Sequence, residues 1–313
     1  MPAMHPDVKN LLDPIEASGR LPYQAYPPAE ARASYDAGRA AVLPPLDPVA
    51  HREDLAAPGQ GGPIPMRLYR SAGSQPDAIL PCLLYLHGGG WVLGDLDSHE
   101  AICRRLANAS GGAVVAVHYR RAPEHPFPAT LDDSAAALTY IAEHASALRI
   151  DRSRLAVGGD SAGGNLAAVL ALMGRDGELP RPVFQMLLYP VVDLSMNSPG
   201  YRRVTSGVPL TDATMRYFID HYTPNPADRS DWRASPLLAS DLTNLPPALV
   251  VTCSHDPLCE EGRAYARKLD DAGVAVTELH FNDQLHGFLA MGGAIDVVTP
   301  ALDFAAAVMR DRW

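Results

Sequence analysis

Lysine is almost missing from this chain. Of its 26 basic residues only Lys9 and Lys268 are lysines, and no block of Lys and Arg occurs anywhere. With 36 acidic residues and a formal net charge of −10, the sequence lacks the electrostatic footprint of a nucleic-acid-binding protein. The arginine excess reads as coding bias. Long apolar runs are also absent. No stretch of roughly 18 consecutive apolar residues occurs, so no membrane span is expected. The start, Met1-Pro2-Ala3-Met4-His5-Pro6-Asp7, has no basic segment leading into an apolar one, which argues against a secretory signal. Cysteine is sparse. Cys82, Cys103, Cys253 and Cys259 form no C-x-x-C pair, and three lie in or beside apolar runs, as reduced core cysteines do. A cytoplasmic protein is the simplest expectation. Several chemical signatures are missing too. Neither H-E-x-x-H nor a Cys/His cluster suggests a metal. Neither a P-loop nor G-x-G-x-x-G suggests a nucleotide. No metal and no cofactor are expected.

What remains is ordinary globular composition, 47% hydrophobic and 20% charged over 313 residues. That length fits one large α/β domain with room for an inserted or appended subdomain. Met4, Val8, Leu11, Leu12 and Ile15 recur at helical spacing, and Ala29 to Val42 is a second helical candidate before Pro44-Pro45. From Asp47 the pattern turns to strands. Ile64, Met66 and Leu68 alternate with polar or exposed-type neighbours, and Ile79–Leu86 is a nearly continuous apolar run, as a strand covered on both faces requires. Further strands are expected at Ala113–Val117, Leu155–Val157, Val183–Leu188, Ala248–Thr252 and Val274–Phe281. Helices are expected from Ser98 as a cap, over Ala129–His144, after Ser161, over Glu260–Asp271 and over Pro300–Arg310. Alternating strands and helices imply a mostly parallel sheet flanked by helices. Residues 194–236 interrupt the alternation. One helix is visible there, capped by Thr211, with Met215, Phe218, Ile219 and Tyr222 on one face. Asp132-Asp133 reads as a solvated helix start.

Two glycine-rich turns carry the chemistry. Gly159-Asp160-Ser161-Ala162-Gly163 lies between an apolar strand and an Ala/Leu-rich helix. That is the context of a nucleophile elbow, which holds a serine in strained backbone geometry with its hydroxyl exposed. His87-Gly88-Gly89-Gly90-Trp91 directly follows another buried strand. Such a loop can turn N–H groups inward as half of an oxyanion hole, the other donor being Ala162. His87 itself reads as a packed, hydrogen-bonded residue. A serine nucleophile needs a base, and the base an orienting carboxylate. His286 lies in a loop after the last strand, where open α/β sheets bind ligands. Asp256, Asp193 and Asp283 compete for the carboxylate role. Chain order and the stiffening Pro257 favour Asp256, with Asp193 second.

These motifs together resemble the hormone-sensitive-lipase family of α/β-hydrolases, the bacterial type IV esterases. Tyr119-Arg120-Arg121-Ala122-Pro123-Glu124-His125-Pro126-Phe127-Pro128-Ala129, Tyr189-Pro190, Asp256-Pro257-Leu258 and His286-Gly287-Phe288 strengthen the resemblance, which spans about residues 80 to 290. It implies an α/β-hydrolase fold with a helical cap. The boundaries expected are 1–45 and 194–236 for the cap, 46–193 and 237–313 for the core. It implies Ser161 as nucleophile, His286 as base, Asp256 as its orienter, and the Gly88, Gly89 and Ala162 N–H groups as oxyanion hole. Family members hydrolyse small-molecule carboxylic esters of short to medium acyl length without metal or cofactor and are often dimers. Met215, Phe218, Ile219, Tyr222 and Trp91 are candidate pocket residues, with plain cap packing as an equal alternative. Two departures stand out: Cys259 where the family usually has Arg, and an Arg within Tyr119-Arg120-Arg121 where Leu is commoner. Amide hydrolysis or acyl transfer would use the same residues, and a binding protein of this fold would lack a triad member.

Overall fold

Along the run from Leu80 to Leu86, side chains alternate between two apolar clusters. Cys82, Leu84 and Leu86 enter one; Leu83 and Tyr85 enter the other. The same period of two recurs in the neighbouring strands, and it places one helical layer on each face of a central sheet. The computed structural model describes residues 2–313. Its strands are β1 (His51–Gly59), β2 (Gly62–Arg70), β3 (Leu80–Leu86), β4 (Ala113–Val117), β5 (Ile150–Asp160), β6 (Phe184–Leu188), β7 (Ala248–His255) and β8 (Val276–Leu285). They form one eight-stranded sheet in the order β1-β2-β4-β3-β5-β6-β7-β8. β1 and β2 are antiparallel to their neighbours; β4 to β8 run parallel.

The helices are α1 (Pro6–Ala17), α2 (Pro28–Arg39), α3 (Glu100–Ser110), α4 (Ala129–Glu143), α5 (Ala162–Arg175), α6 (Pro199–Arg203), α7 (Asp212–Tyr222), α8 (Cys259–Asp271) and α9 (Val298–Arg310). Apolar residues of α4, α5 and α8 cover one face of the sheet, and those of α3 and α9 the other. Each large aliphatic side chain buried this way contributes about 1.5–3 kcal/mol. α1 joins the α3/α9 side through Val8, and its His5 N–H donates to the Asp283 carbonyl at 3.0 Å. α2 and α7 instead lie on the α5 side, above the carboxyl ends of the strands' loops. Thr214 of α7 donates to Gln24 Oε1 at 2.9 Å, joining the 194–236 insertion to the N-terminal segment.

Three local expectations change. The helix expected from Ser98 starts at Glu100. Ser98 closes the preceding turn instead: its N–H donates to Asp95 Oδ1 at 2.7 Å, and Asp95 N–H donates to Ser98 Oγ at 2.8 Å. β1 has no counterpart in the expected strands, because an edge strand with exposed charges and Pro58 carries no apolar alternation. Asp133 is not solvated. It is 2% exposed and takes the Arg120 guanidinium at 2.8 Å. The Thr211 cap is present, accepting from Thr214 N–H at 3.3 Å.

Candidate active site

The elbow forms where β5 meets α5. Ser161 has φ 55 and ψ −117, a conformation that costs a non-glycine residue about 1–3 kcal/mol. The glycines beside it relieve steric conflict. A Cβ at Gly159 or Gly163 would collide with the Leu86 carbonyl oxygen of β3. Small residues two before and two after the serine are therefore required by strand–helix proximity. The strained turn is held by Ser161 N–H donating to the Leu188 carbonyl at 2.8 Å.

His286 follows the last residue of β8, and its backbone N–H donates to the His255 carbonyl at 3.3 Å. Its Nε2 is 2.9 Å from Ser161 Oγ. Its Nδ1 is 2.7 Å from Asp256 Oδ2. A proton on Nδ1 satisfies the carboxylate and leaves Nε2 free to accept from the serine hydroxyl. Asp256 is fully buried; its Oδ1 accepts the Leu258 N–H at 2.8 Å, and the Cys253 thiol lies 3.6 Å from Oδ2. The Tyr189 ring packs 4.8 Å from the imidazole and fixes its plane. Asp193 is occupied elsewhere, accepting Ser195 N–H at 2.9 Å and Oγ–H at 2.8 Å. Asp283 accepts from Gln284 at 3.3 Å. Of the three carboxylates, only Asp256 meets the imidazole.

The expected oxyanion donors require a correction. Gly88 N–H is not free, because it donates to Asp160 Oδ1 at 2.9 Å. Asp160 also accepts the Tyr85 hydroxyl at 2.8 Å and lies 3.3 Å from His99 Nε2. Burial would raise its pKa, but His99, the Tyr85 hydroxyl and Gly88 N–H outweigh that and hold the carboxyl at about 2. Asp160 is thus an internal anchor that pins the loop to the elbow. Among the described residues, no protein acceptor takes the N–H of Gly89, Gly90 or Ala162. Gly90, with φ 59, is not among the expected donors, although its place in the triple glycine is a sequence signal. His87 is packed: it is 2% exposed, stacks 4.2 Å from the Tyr119 ring, and sits 2.9 Å from the Gly88 carbonyl through Nδ1. Burial and the nearby His99 push its pKa well down, so it stays neutral.

The pocket candidates divide. Trp91 and Tyr222 are fully buried and stack on each other at 4.2 Å with 4° between planes. Ile219 and Met215 lie in the same cluster, at 0% and 1% exposure. These four are packed between cap and body, because the apolar face of α7 is the one that docks. Phe218 differs, because its ring lies directly on Gly90, where any Cβ would collide with it. It therefore borders the glycine loop that follows β3. Tyr23 stands 6.5 Å from the Phe218 ring, and Tyr35 stands 6.2 Å from Tyr23. Tyr35 had no sequence signal, because a tyrosine on an amphipathic helix reads as ordinary packing. At Cys259 the usual arginine is replaced from another element. Arg203 of α6 pairs with Glu260 and reaches the Ser254 carbonyl at 3.4 Å, supplying a cation beside the Asp256 turn. The four cysteines are free and buried, and burial pushes the Cys82 thiol up to about 12, which leaves it unreactive. No group of side chains suited to a metal occurs among the described residues.

A strained serine at a strand–helix elbow, one hydrogen bond from an imidazole that is itself bonded to a buried carboxylate, defines the serine hydrolases of the α/β fold. The comparisons with known proteins agree. A family model described as alpha/beta hydrolase fold matches residues 83–290. Ethyl acetate hydrolase of Pseudomonas putida is 41% identical over 300 residues, covering 94% of this chain and 94% of that protein. Carboxylesterase NlhH of Mycobacterium tuberculosis is 38% identical over 254 residues, covering 79% of this chain and 78% of that protein. Among solved structures, ester-hydrolase EH1AB1 from the metagenome of Lake Arreo, complexed with a derivative of bipyridine phosphonate, superposes with a TM-score of 0.95 at 41% identity, covering 98% of each chain. The chain belongs to the α/β-hydrolase family, among the bacterial esterases related to hormone-sensitive lipase. It is an ester hydrolase. No helix among the described residues is long and apolar enough to cross a membrane.

Proposed function

We propose that this protein hydrolyses small carboxylic esters of short to medium acyl length through an acyl-enzyme on Ser161. The observation that carries the assignment is the chain of contacts from Asp256 to His286 to Ser161, at 2.7 and 2.9 Å. Ser161 Oγ attacks the ester carbonyl while His286 Nε2 takes its proton. Asp256 holds the imidazole in the required tautomer and stabilises the imidazolium that forms. The oxyanion is received by the N–H groups of Gly89 and Ala162, with Gly90 beside them. Each such donor is worth about 3–4 kcal/mol of transition-state stabilisation. His286 then returns the proton to the departing alcohol. Water, activated by the same imidazole, clears the acyl group.

The segments 1–45 and 194–236 act in this reading as the cap over a core made of 46–193 and 237–313, and Phe218 limits the acyl chain from above. A cytoplasmic location and a homodimeric state belong to the same proposal, the first supported by the four free, buried cysteines. Light scattering measures the second. The direct test is labelling by a fluorophosphonate together with a panel of p-nitrophenyl esters of increasing acyl length. The expected result is labelling of Ser161, its loss in Ser161→Ala, and a fall in kcat/KM beyond medium chains. A His286→Ala variant that keeps the full rate would sink the triad assignment.

A further inference from the structure

Two side chains of α2 take no part in the reaction described above. Tyr35 and Arg39 are four residues apart and therefore share one face of the helix. Arg39 is only 8% exposed, yet it pairs with no carboxylate among the described residues. Its one polar contact is Nη1 donating to the Tyr35 hydroxyl at 3.3 Å, and its Nε is buried with no partner. The other two buried arginines are answered. Arg67 meets Asp54, Asp97 and Glu100, and Arg70 meets the carbonyls of Ala78, Leu148 and Arg149. A buried guanidinium left short of acceptors is unfavourable unless something else supplies them.

Its position says where that acceptor would come from. The Tyr35 ring continues through Tyr23 to Phe218, which rests on Gly90 of the oxyanion loop. Burial and the charge of Asp160 raise the Tyr35 hydroxyl to a pKa of about 12, so it stays protonated. The Arg39 carbonyl accepts Val42 N–H at 2.9 Å, and the Val42 carbonyl accepts Gly293 N–H at 2.8 Å. The end of α2 is thereby tied to the segment that follows His286. Arg39 is bonded to the Tyr35 hydroxyl, which feels the charge of Asp160 next to Ser161, and its planar fork is suited to two carboxylate oxygens.

We propose that Arg39, oriented by Tyr35, is a specificity-determining residue that binds a carboxylate carried by the ester substrate. This rests on the ester-hydrolase reading. The carboxylate can belong to the acyl part, as in a half-ester of a short dicarboxylic acid, or to the alcohol part, as in an O-acylated hydroxy acid.

The experiment compares kcat/KM for monoethyl succinate with ethyl valerate, and for O-acetylglycolate with propyl acetate, in the wild type, Arg39→Gln and Arg39→Lys. The anionic-to-neutral ratio is expected to fall roughly tenfold or more in Arg39→Gln for one of the pairs, mainly through KM. Arg39→Lys should recover part of it. The pair that responds tells which side of the ester carries the carboxylate. Ratios unchanged in Arg39→Gln for both pairs would overturn the proposal. If Arg39→Gln does not fold, competitive inhibition of the wild type decides: butanedioate should inhibit more strongly than butanoate, and equal inhibition overturns the proposal. A wild type inactive on all four esters would remove the ester-hydrolase reading, and this one with it.

Discussion

The floor and the roof of the site differ in how their polar groups are answered. Beneath Ser161, Asp160 draws together Tyr85, Gly88 and His99, and Asp256 draws together His286, Leu258 and Cys253. Above it, Arg39 Nε, Trp91 Nε1 and the Tyr222 hydroxyl have no protein partner. The floor is held by directional bonds to buried carboxylates, each of which fixes a distance. The roof is tied down by Arg32 of α2, which meets Glu124 and the Val92 and Ala122 carbonyls, and is otherwise held by apolar contact, which fixes burial and leaves orientation to shape. Floor variants should therefore change rate or acid stability, and roof variants should change overall stability or substrate choice.

The largest effect expected is on the floor. Asp256→Asn should lower kcat by roughly 10⁴-fold, because the imidazole loses its tautomer lock. Asp193→Asn should stay near the wild-type rate, since that carboxylate serves only the turn at Ser195. Steady-state hydrolysis of p-nitrophenyl butyrate separates the two, and a reversal of their order would break the contrast. On the roof, Tyr222→Ala removes the ring stacked on Trp91 and should cost about 3–5 kcal/mol in urea unfolding. A stability close to wild type would mean that the cap is not packed as described.

Asp160→Asn tests the floor through pH. The native carboxyl is held at about 2, below its ordinary 3.8. Its contribution is therefore complete above the ordinary value and lost as pH falls through about 2. Across that window it amounts to about 2 kcal/mol. Urea midpoints measured from pH 6 down to pH 3 should show a smaller acid loss in Asp160→Asn than in the wild type. Equal slopes would remove Asp160 from its anchoring role. The smallest effect is expected at Phe218→Ala, where longer p-nitrophenyl esters should gain on the acetate because the ring over Gly90 is gone. An unchanged acyl-length profile would separate Phe218 from the acyl path.

Much of this was legible in order along the chain. The strands, the elbow and the Thr211 cap follow from local periodicity and turn chemistry, which act over a few residues. β1 was not legible, because an edge strand is specified by its partner and not by a buried face. Ser98 showed the same limit: cap chemistry was present, but the bond to Asp95 closed a turn instead of opening the helix. Asp133 misled for a related reason, since its partner Arg120 lies on a different element.

By itself the sequence determined the elbow, the glycine loop and the family they resemble, because a strained serine and close strand–helix contact tolerate few residue types. Only the tertiary structure decided which atoms are spent and which are free. Gly88 N–H goes to Asp160, Trp91 and Tyr222 go to packing, and Arg39 Nε is left without a protein partner. Those outcomes depend on distances between residues far apart in the chain, and hydrogen bonds form or fail over fractions of an ångström that no local pattern encodes.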